Sequence, residues 1–143
     1  MGVEFGWKSW AFLSAVFAAL TAIFAKVGVR EIDPDLATLI RTLVILALVA
    51  GIVAFTGAWH PGAVPGRTWA FLVLSGLATG ASWVCYFRAL RLGEAAKVAP
   101  IDKLSVVLVA VFAAAFLGER PSPPVWLGIA MIAGGAALIA WRG

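Results

Sequence analysis

Five apolar stretches of about twenty residues, separated by short runs rich in Pro, Gly and charge, leave this chain few ways to fold. Twenty residues of helix span about 30 Å, the thickness of a bilayer's hydrocarbon core. The stretches run from about Trp10 to Val29, Leu36 to Phe55, Trp69 to Leu90, Ala95 to Leu117 and Pro123 to Trp141. Only 13% of the residues are charged, against about a quarter in soluble domains. A soluble fold of this size could not cover so much apolar surface, and the exposed patches would aggregate. The pattern predicts an all-α polytopic membrane protein with five transmembrane helices in one domain, residues 1–143. The first stretch is too long for the apolar region of a cleavable signal, so it is expected to be a retained helix.

The turns carry their own chemistry. Asp33 is positioned to cap the second helix with Pro34 at its first position, where a missing N–H costs nothing. Gly57, His60, Pro61, Gly62, Pro65 and Gly66 make a turn-rich loop. Thr68 is expected to cap the third helix and Gly93 to close it. Pro100 lies inside the fourth stretch and should kink it or mark a tightened first turn. Gly118 to Pro121 end that stretch, and Ser122 is expected to cap the fifth. Trp10, Trp59, Trp69, Trp126 and Trp141 fall near helix ends, where interfacial indoles belong.

Lys and Arg set the orientation. Lys8, Arg67 and Arg120 fall on one side; Lys26, Arg30, Arg88, Arg91, Lys97 and Arg142 fall on the other. The second side is expected to be cytoplasmic, with the C-terminus inside. A net charge of +4 then reports on topology and gives no reason to invoke nucleic acid. Cys85, the single cysteine, reads as a small buried hydrophobe, and His60 as a solvated loop residue. No nucleotide-binding loop, His/Cys metal cluster or nucleophile–base pair is apparent, so neither catalysis nor a cofactor is expected.

Small residues recur at helix-packing spacing: Gly76 and Gly80 in the third helix, Ala130 and Gly134 in the fifth, with Gly128, Ala133 and Gly135 nearby. Such spacing lets backbones approach closely in lipid. The third helix also carries Ser75, Thr79, Ser82 and Tyr86 on one face, with Trp83 beside them. A thinner stripe of Trp10, Ser14, Phe17, Thr21 and Phe24 runs along the first. These hydroxyls either bond back to their own helices or line a cavity.

Charges inside spanning helices weigh more, because each costs a few kcal/mol unless it meets a cavity, a partner or the interface. Arg41 lies roughly 9 Å into its helix, and Asp102 and Lys103 roughly 12 Å into theirs. Lys26 and Arg88 lie near helix ends, where they either snorkel to the headgroups or join a basic vestibule on the same side. Asp102 snorkels poorly and should pair with a cation. Side chains at adjacent helix positions diverge, which makes Arg41, rather than Lys103, a candidate partner.

The fourth and fifth stretches are the most specific. Ala89-Leu90-Arg91-Leu92-Gly93-Glu94-Ala95-Ala96-Lys97-Val98-Ala99-Pro100-Ile101 opens an apolar run. That run closes with Phe116-Leu117-Gly118-Glu119-Arg120-Pro121, followed by Trp126-Leu127-Gly128-Ile129 and Gly134-Gly135. The ordered set resembles the EamA domain of the drug/metabolite transporter superfamily over nearly the whole chain. Most members have ten helices in two halves of opposite orientation, so a single five-helix half resembles the small members that pair. The resemblance implies an exporter in the inner membrane, working with a small-molecule substrate as a homodimer, antiparallel or parallel, or with an oppositely oriented paralogue. Pro100 and Glu119 match family positions. Glu119 is expected to anchor the helix end through local backbone or Arg120.

The leading expectation is a secondary transporter of small polar or amphipathic metabolites such as amino acids. Arg41 and Lys103 would hold an acidic group, and Asp102 an amine. Trp83 and Tyr86, with Thr79 and Ser82, would line the remainder. Gly76, Gly80, Pro100 and Glu119 would serve packing or gating. The alternatives are a flippase subunit for a phosphate-linked lipid carrier and a non-transporting membrane scaffold.

Overall fold

A computed structural model describes residues 6–142. Every regular element among the described residues is helical: α1 (Trp7–Gly28), α2 (Pro34–Thr56), a 3₁₀ turn (Pro61–Ala63), α3 (Gly66–Leu92), α4 (Ala95–Asp102), α5 (Ser105–Phe116) and α6 (Pro123–Arg142). Five stretches are long and apolar enough to cross a bilayer: α1, α2, α3, the combined α4–α5 stretch Ala95–Phe116, and α6. Large apolar side chains lie open along all of them; Phe55 is 93% exposed and Phe116 80%. Such surface is costly in water and matched in lipid. The chain is therefore an all-α polytopic membrane protein, as the apolar stretches predict.

The ends follow from local chemistry. The Asp33 carboxylate accepts the N–H of Asp35 at 2.9 Å and of Leu36 at 3.3 Å, capping α2 with Pro34 in its first turn. Gly57 closes α2 at φ +66°, and the Ala58 N–H reaches back to the Val53 carbonyl at 3.1 Å. This left-handed turn satisfies carbonyls the helix would otherwise leave open. Thr68 is not the cap of α3: the helix extends back to Gly66, and the Pro65 carbonyl accepts the Trp69 N–H at 3.1 Å. At α6 it is the Ser122 carbonyl that accepts the first helical bonds, from Val125 and Trp126.

Pro100 divides the fourth stretch. α4 stops at Asp102, and the Lys103, Leu104, Val106 and Val107 N–H groups each bond three residues back, at 3.0–3.1 Å, before α5 continues. A proline removes one rung of the helix and crowds the turn before it; here the chain tightens into 3₁₀-type turns just beyond. Gly118, at φ +68°, ends α5, and the Glu119 N–H bonds the Ala113 carbonyl at 3.2 Å. The Leu117-Gly118-Glu119 motif is thus a helix terminator. Glu119 is tied by its backbone N–H, not by its exposed carboxylate as expected.

The chain divides into two compact units, Met1–Leu92 and Gly93–Gly143. In the first, α3 packs against both α1 and α2. Its buried residues are Ala22, Ala25 and Val29; Ala37 and Thr38; and Phe87 and Leu90. All lie where α1 and α3 finish and α2 begins, so the helices meet at that end while the other half of each stays exposed. In the second unit, α6 packs on α4 and α5. The buried residues are Ala110, Ala113 and Ala136. Small side chains here let helices approach closely.

The small-residue stripes are largely open within the single chain. No side chain of α1 or α2 lies within 4 Å of where a Cβ on Gly76 or Gly80 would stand. The packed face of α6 runs through Ile129, Ala133 and Ala136, while Gly128, Ala130, Gly134 and Gly135 are exposed. Cys85 is exposed rather than buried, because the inward face of α3 is taken by Phe87 and Leu90.

Candidate functional site

The closed end of the first unit is knit by cations. The Lys26 Nζ on α1 donates to the Leu90 carbonyl near the C-terminus of α3 at 2.6 Å. In return, the Arg91 guanidinium on α3 donates to the Val29 carbonyl, just past the end of α1, at 3.1 Å, and to the Ile32 carbonyl. Helix C-termini present unsatisfied carbonyls and partial negative charge, so basic side chains belong there. Val29 and Leu90 are the most deeply buried side chains of the unit, which places these bonds around its core. The Arg88 guanidinium grips Asp35 with two bonds, Nε to Oδ1 at 3.1 Å and Nη2 to Oδ2 at 2.7 Å, tying the start of α2 to α3.

These bonds revise the expected basic vestibule. Lys26 and Arg88 neither simply snorkel nor stand open to a ligand: each is engaged in tying helices together. Asp35, the acid that answers Arg88, is a partner the composition-level reading missed. An i, i+53 pair leaves no periodic trace in sequence.

Arg41 sits one step farther along the α2–α3 seam. Its guanidinium carbon lies 4.2 Å from the Trp83 ring centroid and 5.4 Å from that of Phe87. Trp83 and Phe87 are four residues apart on α3 and share a face. A cation so placed gains about 0.5–2 kcal/mol from the rings. It is half-buried, within a spanning helix.

The same arginine lines a cavity of about 360 Å³, near the lower bound for small-molecule pockets. α1 contributes Thr21, Phe24, Ala25 and Gly28, and the following loop Ile32. α2 contributes Ala37, Ile40 and Arg41, and Phe87 of α3 completes the wall. Thr21 and Phe24 are the inner part of the stripe seen on the first helix. Phe87, Ile32 and Ile40 were not foreseen; the four-residue step from Trp83 to Phe87 is the signal that points to the first.

The other expected site residues fall elsewhere. Trp83 stacks on Arg41, and Tyr86 is half-buried within electrostatic reach of it. Thr79 bonds back to the Ser75 carbonyl at 2.8 Å and is exposed, as is Ser82. Asp102 pairs with its neighbour Lys103, Nζ to Oδ2 at 3.2 Å. The expected divergence of neighbours assumes an unbroken helix. Here α4 ends at Asp102, and the long lysine reaches back across the turn.

Five bilayer-crossing stretches, with an arginine set on the wall of a cavity inside one helical unit, define a multi-pass membrane protein with a candidate solute site. The chain belongs to the EamA-like transporter family, which it matches over residues 6–141. It is 65% identical, over 135 residues, to a Sinorhizobium sp protein called "Uncharacterized transporter in cobO 3'region", a match covering 94% of this chain and 96% of that protein. No solved structure shows a significant match. The resemblance seen in the fourth and fifth stretches therefore holds along the chain, and the protein is a membrane transporter.

Proposed function

We propose that the chain is a secondary transporter that exports small polar or amphipathic metabolites across the inner membrane, with its C-terminus in the cytoplasm, working as a dimer by alternating access. The observation that carries this reading is Arg41. A half-buried cation in a spanning helix is costly without a purpose. Here it is stacked on two aromatic rings and faces a cavity of ligand size. A guanidinium held over aromatic rings retains N–H donors for a planar acidic group. Five helices are half of an inverted-repeat transporter, and a second copy would supply the other half.

Amino acids, with Asp102 holding the amine, are one such class. That role weakens with Asp102 paired to Lys103. A lipid-linked phosphate is the second reading, favoured by the exposed apolar rim: Phe24 is 68% and Ile40 48% exposed.

The test is transport by the full chain in proteoliposomes loaded with a mixed metabolite extract, followed by mass spectrometry of what leaves. Arg41→Ala should reduce export of the transported species at least a hundredfold while insertion and yield stay unchanged. Unaltered export would remove Arg41 from the mechanism.

A further inference from the structure

The charge inventory of the cavity narrows its ligand. Among the described residues, Arg41 is the one ionisable side chain on its wall, and Thr21 adds a single hydroxyl; the remaining wall is aliphatic or aromatic. The acids nearest to Arg41 in sequence are already engaged. Asp33 spends Oδ1 on two N–H groups of α2, and Asp35 spends both oxygens on Arg88. Among the described residues no carboxylate forms an ion pair with Arg41. Trp83 and Phe87 stabilise the guanidinium through their ring faces but cannot neutralise it.

We propose that this cavity selects organic monoanions with an apolar body, and discriminates against zwitterions and cations. This rests on the transporter reading above and sharpens it. One negative charge against Arg41 leaves the site neutral, which a low-dielectric environment favours. The N–H groups of the guanidinium donate to a carboxylate or phosphate through parallel bonds. A second negative charge would have no cation on the wall. An ammonium would lose its water and meet only the Thr21 hydroxyl, and a buried cation without an acceptor is strongly disfavoured. The apolar body lies against Phe24, Phe87, Ile32 and Ile40. An amphiphilic free acid and an anionic lipid headgroup share this chemistry.

Matched ligands test it. The purified full chain in phosphatidylcholine nanodiscs is titrated calorimetrically at neutral pH with hydrocinnamate, L-phenylalanine and phenethylamine. These present one phenyl body as an anion, a zwitterion and a cation. Hydrocinnamate should bind at least tenfold more tightly than phenylalanine, and phenethylamine should give no saturable heat. Arg41→Gln should weaken hydrocinnamate at least tenfold, and Arg41→Lys should recover part of the loss. Thr21→Asp, which sets an acid on the wall beside Arg41, should weaken hydrocinnamate and move the preference to the zwitterion phenylalanine, and needs no change at Arg41. Equal or tighter binding of phenylalanine, no binding by any of the three, or hydrocinnamate binding indifferent to Arg41→Gln would overturn the proposal. Repeating the titration with phosphatidylglycerol in the disc separates the sources. Competition assigns the site to a lipid anion and its absence to a free acid, and either result retains the monoanion preference. Counterflow in proteoliposomes separates this proposal from the transporter reading. Hydrocinnamate binding without counterflow keeps the site and removes transport. Counterflow that prefers phenylalanine keeps transport and removes the selectivity.

Discussion

The first unit, α1–α3, and the second, α4–α6, both bury three alanines, but only the first adds long side chains that tie its helices together. In the first, long cations reach from one helix to the carbonyls or carboxylate of another, and an arginine lies on two aromatic rings. In the second, the buried residues are three alanines. Long side chains hold helices apart by their own length and leave room beside them. Alanines bring backbones together. The cavity described here lies in the unit built the first way, and so does the polar chemistry able to bind a solute.

If that contrast is real, the two units should fail differently. The largest effect is expected from enlarging the alanine seam. Ala113→Leu adds three carbons where the side chain is 8% exposed, and overpacking of a close contact costs about 1–3 kcal/mol. Thermal unfolding in detergent should shift down by several degrees. The same enlargement at Ala130, exposed on α6, should leave the midpoint unchanged. An equal loss at both positions would mean that α6 packs by a face other than Ile129, Ala133 and Ala136.

A middle-sized effect tests whether the two units share anything. Each ends one helix on a left-handed glycine, Gly57 at φ +66° and Gly118 at φ +68°, with nothing within 4 Å of an added Cβ. Gly57→Ala and Gly118→Ala therefore probe backbone strain alone, about 1–2 kcal/mol each. The two losses should match within a few tenths of a kcal/mol, measured by unfolding in denaturant. A Gly118→Ala loss much larger than its counterpart would mean that the Leu117-Gly118-Glu119 turn does more than end a helix.

Much of this architecture was legible in the sequence because lipid imposes it. Stretch length, the Asp33-Pro34 cap and the disruption at Pro100 each follow from one local rule, so they could be read one at a time. Arg41 stood out for the same reason, as a charge where hydrocarbon forbids one. Its surroundings did not. Trp83 and Phe87 meet Arg41 only because α2 and α3 run antiparallel in one register, and that register is set by contacts such as Asp35–Arg88 that are far apart in the chain. Asp102 shows the converse. Adjacent residues of a regular helix diverge, yet Lys103 reaches Asp102 because Pro100 has already disturbed the helix at that point.

The smallest expected effect bears on the ends of the first unit, one closed by cations and one exposed. Asp35→Asn keeps the shape of the side chain and removes the charge that Arg88 grips. Both groups are more than half exposed, so solvent screens the pair, and little loss of stability should follow. What should change is how often the start of α2 parts from α3. Thr38 is 7% exposed beside that contact and gives a reporter. In a Thr38→Cys background with Cys85→Ala, a membrane-permeant maleimide should label a few-fold faster once Asp35→Asn is added. Arg88→Gln should produce the same acceleration. The two together should add nothing further, since either alone dissolves the pair. Additive acceleration would mean that Asp35 and Arg88 restrain the helices separately. No acceleration would leave the closed end to Lys26, Arg91 and the packing of Val29 against Leu90.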